Sequence, residues 1–134
     1  MNEISGEIYS INSDHLLSEL TVKTEIGNFF IVLLETPKTA DYLKIGKSVN
    51  LLFKETEVEI FKNCSFLEKR FLNLFSGSIV SINRGKVLSK ISIKSGNYQF
   101  ESIILDRSVD MQELKVNDNI SFHIKPNEIT VEVD

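Results

Sequence analysis

Only one cysteine, Cys64, occurs among the 134 residues, so the chain can form no internal disulfide and no cysteine-rich zinc site. Tryptophan is absent, and proline appears only at Pro37 and Pro126. No apolar run approaches the ~20 residues that a membrane-spanning helix requires, so no membrane partner is expected. The opening MNEISGEIYS carries acids rather than a basic stretch before an apolar core; no secretory leader is expected, and the chain reads as cytoplasmic. A basic surplus is missing too, with 15 Lys and Arg against 19 Asp and Glu. Without excess cations to displace phosphate counterions, direct nucleic-acid binding is not expected. Catalytic signatures are equally scarce: no Gly-x-Ser-x-Gly elbow, no phosphate-cradling glycine loop ending in Lys, no His-Glu-x-x-His. A binding protein is expected, not an enzyme, and no metal cation is called for.

What the sequence does contain is repetition. A shift of 71 positions aligns the two halves without a gap. Asn2 falls on Asn73, Ser5-Gly6 on Ser76-Gly77, Ser10-Ile11-Asn12 on Ser81-Ile82-Asn83, and Leu17-Ser18 on Leu88-Ser89. Phe29 matches Phe100, Leu43-Lys44 matches Leu114-Lys115, and Lys54 matches Lys125. Conservative pairs such as Val22/Ile93, Val32/Ile103 and Val58/Ile129 fill the intervals. Similar composition alone would not keep the polar residues in register, so an ancestral module was duplicated.

Within each half the apolar residues alternate, as in half-buried strands. The predicted strands are 4–11, 16–24, 28–35, 48–54 and 57–61, repeated at 75–82, 87–95, 98–105, 119–125 and 128–133. Gly6 and Gly77 lie inside the first strand of each set, where glycine marks a bulge or a close backbone approach. Between the third and fourth strands, Thr36-Pro37 and Ser108 read as caps of two short helices, each of about two turns. Three strands, a helix and two strands is the order of a small OB-type barrel. The expectation is therefore all-β: two tandem OB-like five-stranded barrels, each with one short helix. The first spans 1–62 and the second 73–134, joined by a connector over 63–72. That connector lacks glycine and proline and carries Phe66, Leu67, Phe71 and Leu72, so docked rather than strung barrels are expected. Phe29 to Leu34 is apolar on both alternating faces, so one face needs a cover from the sister barrel or another chain.

Each half resembles a Mop domain, the molybdate-binding module of the molbindins and the TOBE class. The second half carries Asn73-Leu-Phe-Ser-Gly77, Gly85-Lys-Val87, Ser108-Val-Asp, Leu114-Lys-Val-Asn-Asp118 and Ile124-Lys-Pro-Asn-Glu-Ile129. The first carries Asn2-Glu-Ile-Ser-Gly6, Leu43-Lys-Ile-Gly46 and Phe53-Lys-Glu-Thr-Glu-Val58. Where the family reads Ser-Ala-Arg-Asn, this chain reads Arg70-Phe71-Leu72-Asn73. The resemblance implies an intracellular molybdate or tungstate binder acting in storage, buffering or homeostasis. It also implies a homo-oligomer, a trimer of two-domain chains, with oxyanions at domain and subunit interfaces. The alternative it leaves is a molybdate-responsive regulatory or interaction module without its own DNA-binding domain. The implied oxyanion-binding residues are Asn73, Lys125, Asn127, Arg70 and Ser108 in the second half, and Asn2, Lys54 and Thr56 in the first.

Physical chemistry permits this in an acidic chain, because a tetrahedral dianion needs only several converging donors. Lys125 with Asn127, and Lys54 with Thr56, are two apart and share a face if they lie on strands. The competing reading makes Lys54 and Lys125 solvated lysines that discourage edge pairing. The helix starts at Thr36 and Ser108 offer free N–H groups, but capping alone explains both, with Glu35 and Asp106 just upstream repelling an anion. Arg84, Lys86, Lys90 and Lys94 have no interleaved aromatics and read as a solvated face. His15 and His123 fall at non-equivalent repeat positions, so neither reads as a repeated ligand.

Overall fold

A computed structural model describes residues 1–62 and 71–133. Cys64, Arg70 and most of the expected connector lie outside the described residues. Ten strands are described: β1 (Asn2–Ser13), β2 (Ser18–Thr24), β3 (Gly27–Leu33), β4 (Ser48–Phe53), β5 (Glu59–Phe61), β6 (Leu74–Asn83), β7 (Leu88–Ser95), β8 (Tyr98–Leu105), β9 (Asn119–His123) and β10 (Thr130–Glu132). They form two five-stranded antiparallel sheets, ordered β10-β4-β1-β2-β3 and β5-β9-β6-β7-β8. The chain is all-β with minimal helix, as the alternating pattern predicts.

The repeat extends to the irregularities of the first strands. The β1–β2 register slips between Ile8 and Ser10, and the β6–β7 register slips between Ile79 and Ser81. Tyr9 and Val80 are thus the extra residues of matching bulges, which bend each first strand so that its sheet curls. Gly6 and Gly77 sit three residues earlier and serve close approach rather than the bulge itself. A Cβ on Gly6 would lie 2.6 Å from the Lys23 carbonyl oxygen, and one on Gly77 would lie 2.6 Å from Ile93 Cγ2.

The fifth strands are exchanged. β5, from the first half, pairs with β9 of the second, placing Glu59 opposite His123 and Phe61 opposite Ser121. β10, from the second half, pairs with β4 of the first, placing Thr130 opposite Leu52. Each exchanged strand is preceded by a single 3-10 turn, Glu55–Glu57 or Pro126–Glu128. The former packs on β8 and the latter on β3, drawing the two edges of each curled sheet together.

One contiguous apolar core serves both halves. Phe29 stacks on Phe75 with centroids 4.3 Å apart, and Phe53 meets Phe100 at 5.5 Å. Both contacts cross between halves, and Phe75 and Phe100 each reach Phe122. Burying a Phe stabilises by about 1.5–3 kcal/mol, so these rings hold the halves together more firmly than any surface contact. On β3, Phe29 and Ile31 are fully buried, Phe30 is half-covered, and Val32 remains exposed.

The interval between the third and fourth strands differs between halves. The second forms α1 (Asp106–Met111), whereas the first closes the same span with turns. There the Thr39 and Ala40 N–H groups both donate to the Thr36 carbonyl at 2.9 Å. Two causes distinguish them. Residue 36 precedes Pro37, which disfavours helical backbone there. Helix α1 also buries Val109 and has Asp106 and Asp110 gripped by Arg84, while the counterpart positions hold Lys38, Glu35, Thr39 and Ser13. The cap expected at Ser108 is corrected as well: the N-cap is Leu105, without a side-chain bond, and Ser108 lies within the helix.

Candidate functional site

The exchange decides which of the expected binding residues meet. Lys54 closes β4 and is the residue before the Glu55–Glu57 turn; Lys125 stands in the same relation to Pro126–Glu128. Neither Lys-x-polar pair lies on a strand, so the expectation that Lys54 shares a face with Thr56, and Lys125 with Asn127, is replaced. Because β10 lies beside β4, Lys54 instead meets Asn127 of the other half. Both line a cavity of about 200 Å³ with Met1, Leu52, Phe53, Glu128 and Thr130. The 71-residue relation makes Lys125 and Thr56 the counterpart pair, with His123 in the place of Leu52 and Glu59 in that of Thr130. All four of Lys54, Thr56, Lys125 and Asn127 are exposed. The Lys54 ammonium shares its cavity with the carboxylate of Glu128, whose counterpart in the 71-residue relation is Glu57. The Met1 ammonium pairs with Glu55, whose carboxyl is lowered chiefly by that bond.

Asn2 and Asn73 are nearly fully buried, and their amides bond to backbone of the opposite half. The Asn2 Nδ2 donates to the Glu101 carbonyl, and Glu101 N–H donates to Asn2 Oδ1, both at 2.8 Å. Asn73 repeats this on Phe30: its Nδ2 donates to the Phe30 carbonyl at 2.8 Å, and its Oδ1 accepts from Phe30 N–H at 2.7 Å. A further bond runs from Asn73 Nδ2 to the Ile124 carbonyl at 2.9 Å, which occupies both of its amide hydrogens. Each asparagine therefore acts as an extra rung joining one sheet to the edge strand of the other. Asn73 has φ 60, a left-handed conformation that asparagine tolerates.

Ser108 lies in α1, apart from the residues lining the Lys54 cavity. Arg84, the head of the basic stretch, is engaged in a two-carboxylate clamp with Asp106 and Asp110. Lys86 falls before β7, so it does not continue the face of Lys90 and Lys94. Sequence reading missed two residues. Glu25, at the β2–β3 tip, accepts from the Asn97 backbone N–H and from Asn97 Nδ2, which together hold its carboxyl below the usual range. Its counterpart is Gly96, so the repeat gave no signal. His123 is nearly fully buried, and the Phe71 ring covers it at 4.7 Å. Its only signal was that it replaces a leucine.

Among the described residues no three potential ligands cluster to hold a metal cation, and no helix is long and apolar enough to cross a membrane. No family model matches the sequence, and no curated protein matches it. A solved structure does: the cytoplasmic molybdate-binding protein ModG, in a crystal form with molybdate bound. The TM-score is 0.90, with 99% of this chain and 96% of that chain covered, at 20% sequence identity. The fold is that of a tandem Mop protein. In this tandem Mop fold the bulges, the exchanged strands and the asparagine rungs all obey one 71-residue relation. The structure it matches is a binding protein and not an enzyme.

Proposed function

We propose that this chain binds a tetrahedral oxyanion of the molybdate or tungstate class in the cytoplasm, as a store or buffer, without catalysis. The observation that carries the reading is the full-length fold correspondence with a protein that holds molybdate. The cavity shared by Lys54 and Asn127 supports it, since the exchange gathers an ammonium and a carboxamide from opposite halves. Lys125 with Thr56 forms the second, related site. Asn2 and Asn73 stand behind these pairs: they hold the sheets that carry the lysines, and no bond to the anion is assigned to them.

Self-association belongs to the same reading. The exposed apolar residues Leu16, Leu17 and Leu34 recur in the second half as Val87, Leu88 and Leu105. They stand where β2 meets β3 and β7 meets β8, so each chain presents two equivalent apolar patches to further copies. A trimer of two-domain chains would cover them.

A thermal titration tests the proposal. Molybdate or tungstate at a hundredfold excess over Kd should raise Tm by on the order of 10 °C, since such an excess stabilises by ~2.7 kcal/mol. Sulfate should raise it less. Lys54→Ala and Lys125→Ala should each remove part of the shift, and together most of it. No shift with any of the three anions at millimolar concentration would sink the reading.

A further inference from the structure

Each of the two exposed apolar patches carries a charged residue among its leucines, and the sign differs between them. On the first, Glu19 stands opposite Val32 across β2 and β3, and the two line one cavity with Leu17 and Asp14. On the second, Lys90 stands opposite Ile103 across β7 and β8, next to the facing pair Leu88 and Leu105. The 71-residue relation makes these the same places: Leu17 with Leu88, Val32 with Ile103, and Glu19 with Lys90. The flanks are inverted as well. Asp14 borders the first patch, whereas Lys86 and Arg107 share a cavity with Val87 and Leu105 beside the second. Asp106 and Asp110 also line that cavity, but both are held by Arg84, so four cations stand there against two acids. Glu55, whose carboxyl feels Lys90, is paired with the Met1 ammonium. Among the described residues, Asp14, Glu19, Lys86, Lys90 and Arg107 are all exposed and none is in an ion pair.

We infer that copies of this chain join unlike patch to unlike patch: the acidic first-half patch of one copy seats on the basic second-half patch of the next. Covering a patch with a charge among its leucines is costly unless the covering surface pairs that charge. Unlike pairing does so, setting Glu19 toward Lys90 and the flanking acid toward the flanking cations. Like pairing would press Glu19 on Glu19, or Lys90 on Lys90, and charges of one sign set together reject that arrangement. The apolar residues thus supply the attraction, and the charges choose the orientation. Since every copy offers one patch of each sign, the contact runs head to tail, and it closes into a ring when the rotation between copies allows. A closed ring, such as the proposed trimer, leaves no patch bare. This inference rests on the self-association proposed above and not on the oxyanion function.

Single variants isolate one patch at a time. Leu34→Glu spoils the first patch and leaves the second, and Leu105→Glu does the reverse; both side chains are exposed, so the fold accepts the charge. In sedimentation of the full chain, each variant alone should be a 15.3 kDa monomer, and an equimolar mixture should form a one-to-one dimer of twice that mass. Either variant associating with itself would mean that like patches pair. A mixture that stays monomeric while the wild type associates would mean that the two patches have no affinity for each other. Each of these results overturns the inference and leaves self-association standing. Charge reversal then tests the choosing pair. Glu19→Lys, added to Leu105→Glu, should weaken the mixed dimer by at least about tenfold, and Lys90→Glu, added to Leu34→Glu in its partner, should restore it. A mixed dimer indifferent to both reversals also overturns the inference. A wild type that sediments as a monomer at every concentration overturns the proposed self-association with it.

Discussion

Asn73 shows how one side chain can tie two sheets together. Removing its amide in Asn73→Ala leaves the buried Ile124 carbonyl and the half-covered Phe30 N–H and carbonyl without these partners, water in part replacing them at Phe30, and puts alanine at a positive φ. Each orphaned buried group costs about 1–3 kcal/mol. A loss of about 2–4 kcal/mol is expected in urea unfolding, and a loss below about 0.5 kcal/mol would refute the role. Gly77 is limited by space instead of bonding. Alanine there would press on Ile93 Cγ2 at 2.6 Å and on the Lys94 carbonyl oxygen at 3.0 Å. Overpacking of this kind costs about 1–3 kcal/mol. Gly6→Ala meets the equivalent obstruction, so the two variants should lower Tm by similar amounts, and a neutral result for both would show that the strands can separate freely. The doubled glycines and asparagines were visible in the sequence. That the asparagines bond to backbone of the opposite half was not, because an amide suits an anion and a peptide group equally well.

At the scale of the element, α1 and its clamp distinguish the halves. Arg84 donates through Nε and Nη2 to Asp106, and through Nη1 and Nη2 to Asp110, one helical turn on. Ser89 Oγ adds a bond to Asp106 at 2.5 Å. The Arg84 bonds, then that of Ser89, bring the Asp106 carboxyl down to about 2. Its folded value is depressed, so its contribution is complete above the ordinary carboxylate range, near 3.9, and is lost as pH falls toward about 2. Amide exchange in α1, taken relative to the intrinsic exchange rate at each pH, should hold steady from pH 7 to about pH 4 and quicken below about pH 3. Arg84→Ser, which copies Ser13, should quicken it at neutral pH; unchanged exchange would show that packing of Val109 alone forms the helix. The sequence promised helices in both halves from Thr36-Pro37 and Ser108. It could not reveal that Arg84 reaches both Asp106 and Asp110, since that reach depends on how the β6–β7 turn folds over α1.

For the whole molecule, the exchanged strands and the shared phenylalanine core make the halves parts of one unit. Thermal unfolding should be a single transition, with equal calorimetric and van't Hoff enthalpies. Two resolved transitions would contradict a common core. The apolar patches make a second expectation at this scale. Leu34→Glu together with Leu105→Glu should shift the sedimentation coefficient toward that of a 15.3 kDa monomer, because both residues are exposed and a charge there opposes burial between copies. An unchanged species would place self-association elsewhere.

The sequence by itself determined the duplication, the strand order within each half and the alternation that aims Phe29, Ile31, Phe100 and their neighbours inward. Those are local properties, written in period-two hydrophobicity and in glycines at fixed positions. Tertiary structure alone decided which sheet each fifth strand would complete. Val58-Glu-Ile-Phe61 and Ile129-Thr-Val-Glu132 present the same alternating apolar edge, and β4 and β9 offer matching partners, so either strand could pair with either sheet. The choice follows from the packing of the two 3-10 turns on opposite sheets. That choice is also what sets Lys54 beside Asn127 and His123 beside Glu59.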